Sequence, residues 1–414
     1  TSGILVIHSH DLMPRNGDCY FPFRQDSDFF YLTGVDQEES VFVLDPSAEN
    51  EFDKAVLFIK ETNKHIQIWE GHKYSKEEAV AVSGIKNVKW LSDLKPYLKE
   101  AFDNHSLVYY NQNENERAFS PVKSRNDRFV SEFKIEHKKH QFKSVTPMLA
   151  ALRTVKSKEE IDLIKEGCAI TKSAFERVLS VVKPGIGEHE IEAEITHEFI
   201  CKKANTHAYS PIVASGKNAC VLHYIDNNKV CQDGDLILLD FGAEYGNYAS
   251  DLSRTIPVNG VFSKRQKQVY NAVLRVFKEA RTQMVVGSTL KKLQAAVVYQ
   301  MELELIGLGL LTNKAISNQN PEEPLFKKYF MHGTSHFMGL DVHDVGDRGK
   351  EFQNGMVLTC EPGIYILEEG IGVRIENDIL INDDSPIDLM ADIPVEVEEI
   401  ESLMKAGASS VIRS

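Results

Sequence analysis

Short apolar runs alternate with amphipathic stretches through the first third of the chain. The apolar runs are rich in β-branched residues, which favours strands, at GILVIHS, SVFVLD, KAVLFI and SLVYYN. Two stretches between them have helical character, namely SKEEAVAVSG and LSDLKPYLKEAF. Strands that alternate with helices are typical of an α/β domain, and we expect such a domain over residues 1–143.

A polar stretch without a period, EHKKHQFKS at residues 136–144, predicts the boundary between two domains. Soon after it, Ser157 and Glu160 have the spacing of a capping box, and apolar residues recur at helical spacing as far as Pro184-Gly185. Further helices are predicted at 191–199, from near Ser263 and from near Ser288. Strand-like runs are predicted at 208–215, 235–241, 246–258, 356–361 and 371–381. Residues 144–414 therefore predict an α+β domain.

Length, composition and charge exclude several classes of protein. The chain has 414 residues, which is too long for one ordinary hydrophobic core. A hydrophobic content of 42% and a charged content of 26% are typical of a globular protein. The net charge of −14 argues against nucleic-acid binding, which needs a basic surface, and leaves no polybasic patch for an anionic membrane. No apolar run approaches twenty residues, so no transmembrane helix is expected.

The cysteines and the first residues of the chain indicate a cellular compartment. Six cysteines are scattered along the chain with no short paired spacing, which favours reduced thiols. The opening TSGILVIHSHD lacks the basic start and the long apolar stretch of a signal peptide. We therefore expect a cytoplasmic protein.

Two aspartates follow apolar runs, where carboxylates are unusual. Asp240 ends the run LILL, and Asp251 lies eleven residues later in a second predicted strand. A hairpin with Tyr245-Gly246 at its tip would place Asp240 directly opposite Asp251. Two carboxylates at that separation repel one another unless a proton or a cation lies between them.

A second pair of acids repeats this arrangement. Glu361 follows the run MVLT, and Glu376 lies fifteen residues later. A turn centred on Glu368-Glu369 would place these two glutamates opposite each other. Any one acid alone could be a solvent-facing strand residue, but two such hairpins favour a cluster of oxygen ligands. Oxygen ligands suit hard divalent cations such as manganese or magnesium.

The segment MHGTSHFMGLDVHDVG holds His332, His336 and His343. A helical zinc pair His332/His336 is disfavoured because Gly333 and Gly339 make a poor helix. The segment also lacks the glutamate that follows the first histidine in the zinc-protease motif. We expect loop and strand here, with one histidine on a metal and the others near substrate. The alternative for each is a hydrogen-bonded structural histidine.

These residues resemble a known family. Asp240, Asp251, His336, Glu361 and Glu376 occur in the order and context of the five ligands of the pita-bread metallopeptidases. HGTSHFMGLDVHDVG looks like the version found in aminopeptidase P and prolidase, and FRQDSDFFYLTGVDQEESVFVL resembles the amino-terminal domain of aminopeptidase P. The resemblance implies a small α/β domain followed by a pita-bread domain with internal pseudo-twofold symmetry.

The resemblance also implies a reaction, the release of the first residue from peptides with proline at position two. Two divalent metal ions, expected to be manganese, would share the ligands. By position, Asp251 and Glu376 bridge both ions, Asp240 completes one, and His336 and Glu361 complete the other. A metal-bridging hydroxide would attack the carbonyl before proline. Glu361 would shuttle the proton to the leaving nitrogen.

Further positions match the family's active-site residues. The resemblance assigns His343 and His223 to the oxyanion and the downstream carbonyl, and His332 to the proline ring. Tyr365 and Arg374 match positions that steady the ligands. Three residues resemble substrate-side positions: Arg153, Asp28 and Trp69. For these three, an ordinary surface ion pair or a core aromatic is an equal alternative.

Two other functions remain open at this point. Prolidase has the same fold and ligands but acts only on Xaa-Pro dipeptides, and the sequence does not show whether the cleft is closed beyond the second residue. A non-catalytic pita-bread relative would bind peptides or histones without metal, but such relatives lose the ligand set. The family also implies a homodimer or a homotetramer.

Overall fold

The computed structural model describes residues 3–114 and 120–411, without the side chains of 408–411. Its helices are α1 (Ser27–Thr33), α2 (Lys64–Glu70), α3 (Lys76–Ser83), α4 (Leu94–Asn104), α5 (Arg125–Glu136), α6 (Thr146–Thr154), α7 (Lys158–Val181), α8 (Glu188–Cys201), α9 (Lys264–Thr282), α10 (Leu290–Gly307), α11 (Asn313–Ser317) and α12 (Val397–Val411). Short 3₁₀ helices lie at Glu51–Asp53, Leu91–Asp93, Gly216–Cys220 and Leu325–Lys328.

The strands of the first part are β1 (Gly3–His8), β2 (Pro14–Asn16), β3 (Cys19–Tyr20), β4 (Val41–Leu44), β5 (Ala55–Ile59), β6 (Asn87–Trp90), β7 (Leu107–Tyr110) and β8 (Gln141–Ser144). Those of the second part are β9 (Thr206–His207), β10 (Ile212–Ser215), β11 (Leu236–Phe241), β12 (Ala243–Tyr245), β13 (Tyr248–Ala249), β14 (Leu252–Pro257), β15 (Val357–Cys360), β16 (Gly363–Ile366), β17 (Ile371–Arg374), β18 (Asn377–Leu380) and β19 (Ile387–Asp388). Contacts divide the chain into two units, Thr1–Ala151 and Leu152–Ser414.

The first unit is built on a six-stranded sheet in the order β6-β5-β4-β1-β7-β8. β1 is buried on both faces, with Leu5 and Ile7 in one hydrophobic cluster and Ile4 and Val6 in another. Helices α1, α3 and α6 contribute to the first cluster, and α4 and α5 to the second. A strand buried on both faces reads as one continuous apolar run, which is why GILVIH was recognisable. The predicted α/β domain is confirmed.

Two strands of this sheet escaped the sequence interpretation. β8 lies within the polar stretch 136–144, pairs in parallel with β7 and forms one edge of the sheet. Its side chains alternate between exposed and half-buried positions, so it shows no apolar run. β6, at the opposite edge, is similarly only half-buried. The division between the units falls inside α6, a few residues after the predicted 143/144 boundary.

Helices of the second unit surround several small sheets. Ser157 caps α7, and the predicted capping box with Glu160 is present. α7 packs against α8, α12 and the strands β12 and β13, while α9 packs against α10 and the strands β15, β16 and β17. Ser263 caps α9, as its position predicted, and Thr289 caps α10. The α+β class predicted for this part of the chain is therefore confirmed.

Two hairpins in this unit follow the same plan. In each, one pair of strands is followed by a break and then by a second pair nearer the tip. The first hairpin pairs β11 with β14 and β12 with β13, and the second pairs β15 with β18 and β16 with β17. The predicted acids lie at or beside these breaks, where the strands leave one sheet and enter another.

Candidate active site

The register of the first hairpin differs from the prediction. Asp240 pairs with Ser253, and Tyr245 pairs with Tyr248, so the tip is Gly246-Asn247 rather than Tyr245-Gly246. Both tip residues have positive φ, 56° and 67°, as a type I′ turn requires. The expectation that Asp240 faces Asp251 directly is therefore wrong.

Tyr209 nevertheless brings the two aspartates together. Its hydroxyl lies 2.6 Å from Oδ1 of Asp240 and 2.5 Å from Oδ1 of Asp251. Asp251 comes this close because the backbone crowds at the break, where a Cβ on Gly242 would lie 1.7 Å from the carbonyl oxygen of Ser250. Only glycine fits at that position, so the break is fixed by the sequence.

The register of the second hairpin agrees with the prediction. Cys360 pairs with Asn377 before the break, and Gly363 pairs with Arg374 after it. By the same count Glu361 and Glu376 stand opposite each other, which confirms the turn centred on Glu368-Glu369. The break leaves both glutamates outside the strand ladders, and their carboxyl groups are free to point into the site.

Contacts around Ser253 join the two hairpins. The backbone N–H of Glu376 donates to the carbonyl of Ser253 at 3.1 Å, and the Ser253 hydroxyl donates to Oε2 of Glu376 at 2.7 Å. A second contact lies nearby, where the N–H of Asp251 donates to Oδ2 of Asp378 at 3.0 Å. Residues far apart along the chain therefore converge at the two breaks.

His336 completes the cluster from a loop. Its Nε2 lies 3.5 Å from Oδ2 of Asp251 and 3.8 Å from Oε1 of Glu361. Its Nδ1 lies 3.0 Å from the carbonyl oxygen of Phe337, which accepts a hydrogen bond from it and leaves Nε2 directed at the acids. The segment is a loop with a single bridge from Phe337 to Leu358, so the absence of a zinc helix is confirmed.

The donor set fits divalent cations. Within the described ranges, Asp251, His336 and Glu376 each offer an atom within 4.8 Å of the others. Burial, and then the charges of Asp251 and Glu361, raises the pKa of Glu376 well above its usual range. Burial likewise raises the pKa of Glu361 to about 7. These carboxylates cannot all ionise on their own, and a doubly charged cation supplies the missing positive charge.

Arg374 holds one edge of the cluster. Its Nη2 contacts Oδ2 of Asp240, and its Nε donates to the Ser253 hydroxyl at 2.7 Å. Its Nη1 donates to the Tyr365 hydroxyl at 2.9 Å, and that hydroxyl lies 2.8 Å from Nε2 of His332. Arg374 and Tyr365 therefore link the predicted ligand Asp240 to His332, and their role in steadying the ligands stays a prediction.

His332 is held as a neutral imidazole. Its Nδ1 donates to the carbonyl of Gly333 at 2.8 Å, and its Nε2 accepts the hydrogen of Tyr365. Burial, and then the charge of Arg374, lowers the pKa of His332 to about 4, and His223 adds to that effect. With both nitrogens engaged, the ring offers its face rather than a proton.

The other two predicted histidines lie at different distances from the cluster. The ring of His343 packs edge-on against that of His336, with 4.4 Å between centroids. His223 follows the 3₁₀ helix Gly216–Cys220 and is exposed. His343 is therefore adjacent to a predicted ligand. His223 acts on the site through its charge, which helps to lower the pKa of His332.

The three predicted substrate residues have other surroundings. Arg153 pairs with Asp341 at 2.8 Å and with Asp344 at 2.5 Å, so it forms an ion pair, but a buried one rather than the surface pair of the alternative. In the first unit, Asp28 is buried and lies 3.4 Å from the side-chain nitrogen of Asn111. Trp69 is 79% exposed, so it is no core aromatic. A substrate role for these residues stays a prediction.

Three polar residues were missed by the sequence interpretation: Tyr209, Ser253 and Asp378. Two lie near predicted ligands in sequence, since Ser253 follows Asp251 and Asp378 follows Glu376 at the same spacing of two. In a strand, that spacing places side chains on one face, which is a usable signal. Tyr209 lies on a separate segment and carries no comparable signal.

Fold and cluster together define a metal-dependent hydrolase. Residues 162–383 match the model of metallopeptidase family M24, and residues 1–109 match that of the aminopeptidase P N-terminal domain. The chain belongs to metallopeptidase family M24. It is a metallo-aminopeptidase with the two-domain architecture of aminopeptidase P.

Individual relatives match over nearly their full lengths. The chain is 34% identical to Xaa-Pro aminopeptidase of Haemophilus influenzae, over 97% of this chain and 93% of the relative. It is 35% identical to Xaa-Pro aminopeptidase of Escherichia coli K12, over 95% and 91%. The solved structure of E. coli aminopeptidase P with the inhibitor Pro-Leu superposes with a TM-score of 0.88, at 33% identity over 99% of this chain and 95% of that one. No described helix is long and apolar enough to cross a membrane.

Proposed function

We propose that the chain removes the first residue from peptides that carry proline at position two. The carrying observation is a cluster of the buried acids Asp240, Asp251 and Glu376 with the half-buried His336 and Glu361, in a chain similar to Xaa-Pro aminopeptidases along almost all of its length. An acid cluster with raised pKa values is a costly feature for a binding module, and it has a purpose in a metal-dependent hydrolase.

The five ligands would hold two divalent cations. The family resemblance assigns Asp251 and Glu376 to both ions, and this fits their position with His336 in a group of donor atoms within 4.8 Å of one another. Asp240 would complete one ion, and His336 and Glu361 the other. Oxygen-rich coordination favours manganese over softer metals. Bound cations supply Lewis acidity, which polarises the scissile carbonyl and makes water nucleophilic near neutral pH.

Glu361 is the proposed proton carrier. Its Oε1 lies 3.8 Å from Nε2 of His336, and its Oε2 lies 3.7 Å from Nδ1 of His332. One oxygen therefore faces the ligand cluster and the other faces the proposed substrate side. A carboxyl group so placed can accept a proton from water and deliver it to the leaving nitrogen of proline.

His332 is proposed to contact the proline ring. Its nitrogens are taken by Tyr365 and Gly333, and a neutral ring face is a suitable apolar surface for a pyrrolidine. Proline's nitrogen has no hydrogen and its φ is fixed, so recognition has to come from shape rather than from a hydrogen bond.

His343 and His223 are proposed to stabilise negative charge on carbonyl oxygens. His343 lies against His336, beside the position where the tetrahedral oxygen forms if the carbonyl binds at the cluster. His223 is assigned to the carbonyl downstream of proline. Each can donate a hydrogen bond without itself being a ligand.

The direct test is hydrolysis of a Gly-Pro-X tripeptide before and after treatment with a chelator. We expect release of free glycine, loss of activity in chelator, and recovery on adding Mn²⁺. A Gly-Pro dipeptide assayed in parallel separates the two peptidases, because prolidase would cleave only the dipeptide. Purified protein that binds no divalent metal and stays inactive with Mn²⁺ would favour the non-catalytic peptide- or histone-binding module.

Two further expectations accompany this proposal. The family implies a homodimer or homotetramer, which sedimentation velocity would establish. A cytoplasmic location is proposed from the reduced state expected of the cysteines, all six of which are free thiols.

A further inference from the structure

A group of charges, buried except for Asp341, lies beside the histidine loop, and the proposed reaction does not use it. Two basic residues, Arg153 and Lys156, contact the acids Asp341 and Asp344; we call this set the Asp344 clamp. Arg153 Nη2 lies 2.5 Å from one carboxylate oxygen of Asp344, and Lys156 Nζ lies 3.2 Å from the other. The side chains of Lys156 and Asp344 are each 1% exposed, so the pairing is removed from water.

Burying two cations on one carboxylate is expensive, and apolar residues of similar size would often be no less stable. A gain in stability therefore does not account for the buried ion pairs, but a role in fixing one conformation of the chain does. The question is therefore which conformation the clamp fixes.

Asp344 immediately follows His343, and its backbone closes the loop that carries both histidines. The N–H of Asp344 donates to the carbonyl of Phe337 at 2.9 Å, next to His336. Within the loop, the N–H of Gly339 donates to the carbonyl of Asp341 at 3.1 Å. The clamp therefore holds the loop at Asp344, which is next to His343. The hydrogen bond from Asp344 closes the loop at Phe337, which is next to His336.

Glycine is required where the loop meets the clamp. A Cβ on Gly339 would lie 2.2 Å from Oδ2 of Asp344 and 2.9 Å from Cε of Lys156. On the other side of Asp344, a Cβ on Gly346 would lie 2.3 Å from the ring of Phe337. The loop therefore packs closely against the clamp, and a side chain at Gly339 would displace the carboxylate of Asp344 or the end of Lys156.

The basic side of the clamp is anchored to the strand that leads to Glu361. Val155 forms a bridge with Met356, just before β15, and the N–H of Lys156 donates to the carbonyl of Gly355 at 2.9 Å. The clamp thus links the start of β15 with the loop of His336 and His343. Both ends of this link carry predicted active-site residues.

We propose that Arg153 and Lys156 are positioning residues, which act through Asp344 to hold His343 against the metal ligand His336. This inference rests on the proposed function, because the value of placing His343 depends on the reaction. It assigns Arg153 to the loop rather than to the substrate.

The test is a double-mutant cycle between Asp344→Asn and His343→Ala in the manganese-loaded enzyme. We expect Asp344→Asn to lower kcat about 10- to 100-fold with little change in KM or bound metal, since small misplacements of catalytic groups have effects of that size. In the His343→Ala background the same change should lower kcat less than about twofold. Full additivity of the two effects would overturn the proposal.

Asp162→Asn is the matched control, because Asp162 pairs with Lys158 on the exposed surface of α7. It should leave kcat unchanged, and equal behaviour of the two Asn variants would also overturn the proposal. If Asp344→Asn does not fold, Lys156→Met repeats the cycle with the Arg153–Asp344 pair intact, and Lys156→Arg should restore kcat. Additivity between Lys156→Met and His343→Ala would likewise refute the positioning role.

Hydrogen exchange separates this proposal from the reaction itself. The amides of Gly339 and Asp344 should exchange faster in Asp344→Asn or Lys156→Met than in Asp162→Asn, whatever the substrate. Unchanged exchange at both amides would refute the clamp even if the wild type cleaves Xaa-Pro peptides. Faster exchange in a chain that cleaves none would support the clamp and refute the proposed function.

Discussion

Two glutamates of the second unit, Glu188 and Glu376, are almost equally buried, at 0% and 2% exposure, but have opposite surroundings. Glu188 receives hydrogen bonds from the N–H and hydroxyl of Ser215 at 2.8 and 2.7 Å, and from the Tyr224 hydroxyl at 2.8 Å. The N–H of Lys229, at 2.9 Å, and the side chain of Asn218, at 3.3 Å, complete the set.

Glu376 has far fewer donors. The Ser253 hydroxyl donates to it at 2.7 Å, and Nε of Arg374 is 4.0 Å away. Burial acts on both carboxyl groups in the same direction, but the donors around Glu188 outweigh it and lower the pKa of that group. Around Glu376, burial and the neighbouring acids raise the pKa.

The difference separates a structural carboxylate from a proposed metal ligand. Glu188 is fully satisfied by the protein and has no lone pair left for a cation. Around Glu376, in contrast, the positive charge of Arg374 does not outweigh burial and the neighbouring acids, so a bound cation would stabilise its ionised form. Counting donors around a buried acid therefore distinguishes the two roles where burial alone does not.

The largest effect should come from removing a buried acid that has few hydrogen-bond donors around it. Glu376→Ala or Asp251→Ala should abolish metal uptake and peptide hydrolysis together, because both ions lose a shared ligand. Metal content by mass spectrometry and kcat/KM measure the two losses. Glu166→Ala, at an exposed position of α7, is the control. Full activity in either ligand variant would contradict the assignment.

A smaller effect is expected from Tyr209→Phe. The change removes the hydroxyl that contacts Asp240 and Asp251 but leaves both ligands in place. Loss of such an outer partner typically weakens metal affinity about 10- to 100-fold. Tyr248→Phe, which removes a hydroxyl bonded to Glu160 at 2.9 Å, is the matched control for calorimetric titration with Mn²⁺. Equal affinities in the two variants would show that Tyr209 does not orient the ligands.

Lowering the pH from 7 to 6 should weaken cation binding through proton competition. Burial raises the pKa of Glu361 to about 7, so its ionised fraction falls about fivefold over that unit. Burial alone would lower the pKa of His336, but Asp251 and Glu361 raise it to about 9, and this competes in the same direction. Titrations at both pH values should therefore show at least about a fivefold loss of affinity; an unchanged affinity would contradict this.

Glu361 and His336 also make the free energy of unfolding of the metal-free protein depend on pH. Between pH 4.5 and about 7, Glu361 binds more protons when folded than when unfolded, so the free energy of unfolding falls as the pH rises. The contribution of His336 is present below pH 6.5 and is lost as the pH rises through about 9. The increase in Tm on adding Mn²⁺ should therefore be larger at pH 8 than at pH 5.5. Groups far from the site titrate alike in the metal-free and the manganese-loaded protein, so their contributions cancel in the difference between the two Tm values.

The smallest effect on metal affinity is expected for Glu188→Gln. The amide nitrogen would face donors such as the Tyr224 hydroxyl, so the free energy of unfolding should fall by about 1–3 kcal/mol. Because the pKa of Glu188 is lowered, its stabilisation is present above pH 4.5 and is lost as the pH falls through the folded pKa. The Tm difference from wild type should shrink in acid. A large loss of Mn²⁺ affinity would show that the two glutamates are not independent.

The two hairpins show which strand registers can be predicted from the sequence. The four-residue loop of the second hairpin was placed correctly, and so was the register of Glu361 with Glu376. In the first hairpin, Gly246-Asn247 are the residues that tolerate positive φ, and choosing them would have paired Asp240 with Ser253. Turn chemistry thus contained information that spacing alone did not.

Contacts between distant segments could not be predicted from one sequence. Tyr209 reaches the aspartates from outside both hairpins, and Arg153 meets Asp344 from a segment almost two hundred residues earlier. Neither pairing leaves a period or a local motif, because it depends on how separate elements pack. Local patterns therefore indicated the four proposed acidic ligands, and the family resemblance indicated His336, Tyr365 and Arg374, whereas Tyr209 and the pairing of Arg153 with Asp344 required the structure.

The hydroxyl of Tyr209 has one further consequence, since it carries a single hydrogen for two acceptors. Burial, and then the charges of Asp240 and Asp251, keeps the pKa of this phenol well above its usual range, so the hydrogen stays on the oxygen. At any instant only one aspartate receives it, and the other retains its full electron density. The two carboxylates are thereby made unequal as electron-pair donors to a cation. Rotation of the Tyr209 hydroxyl about its C–O bond would reverse which of the two is the stronger.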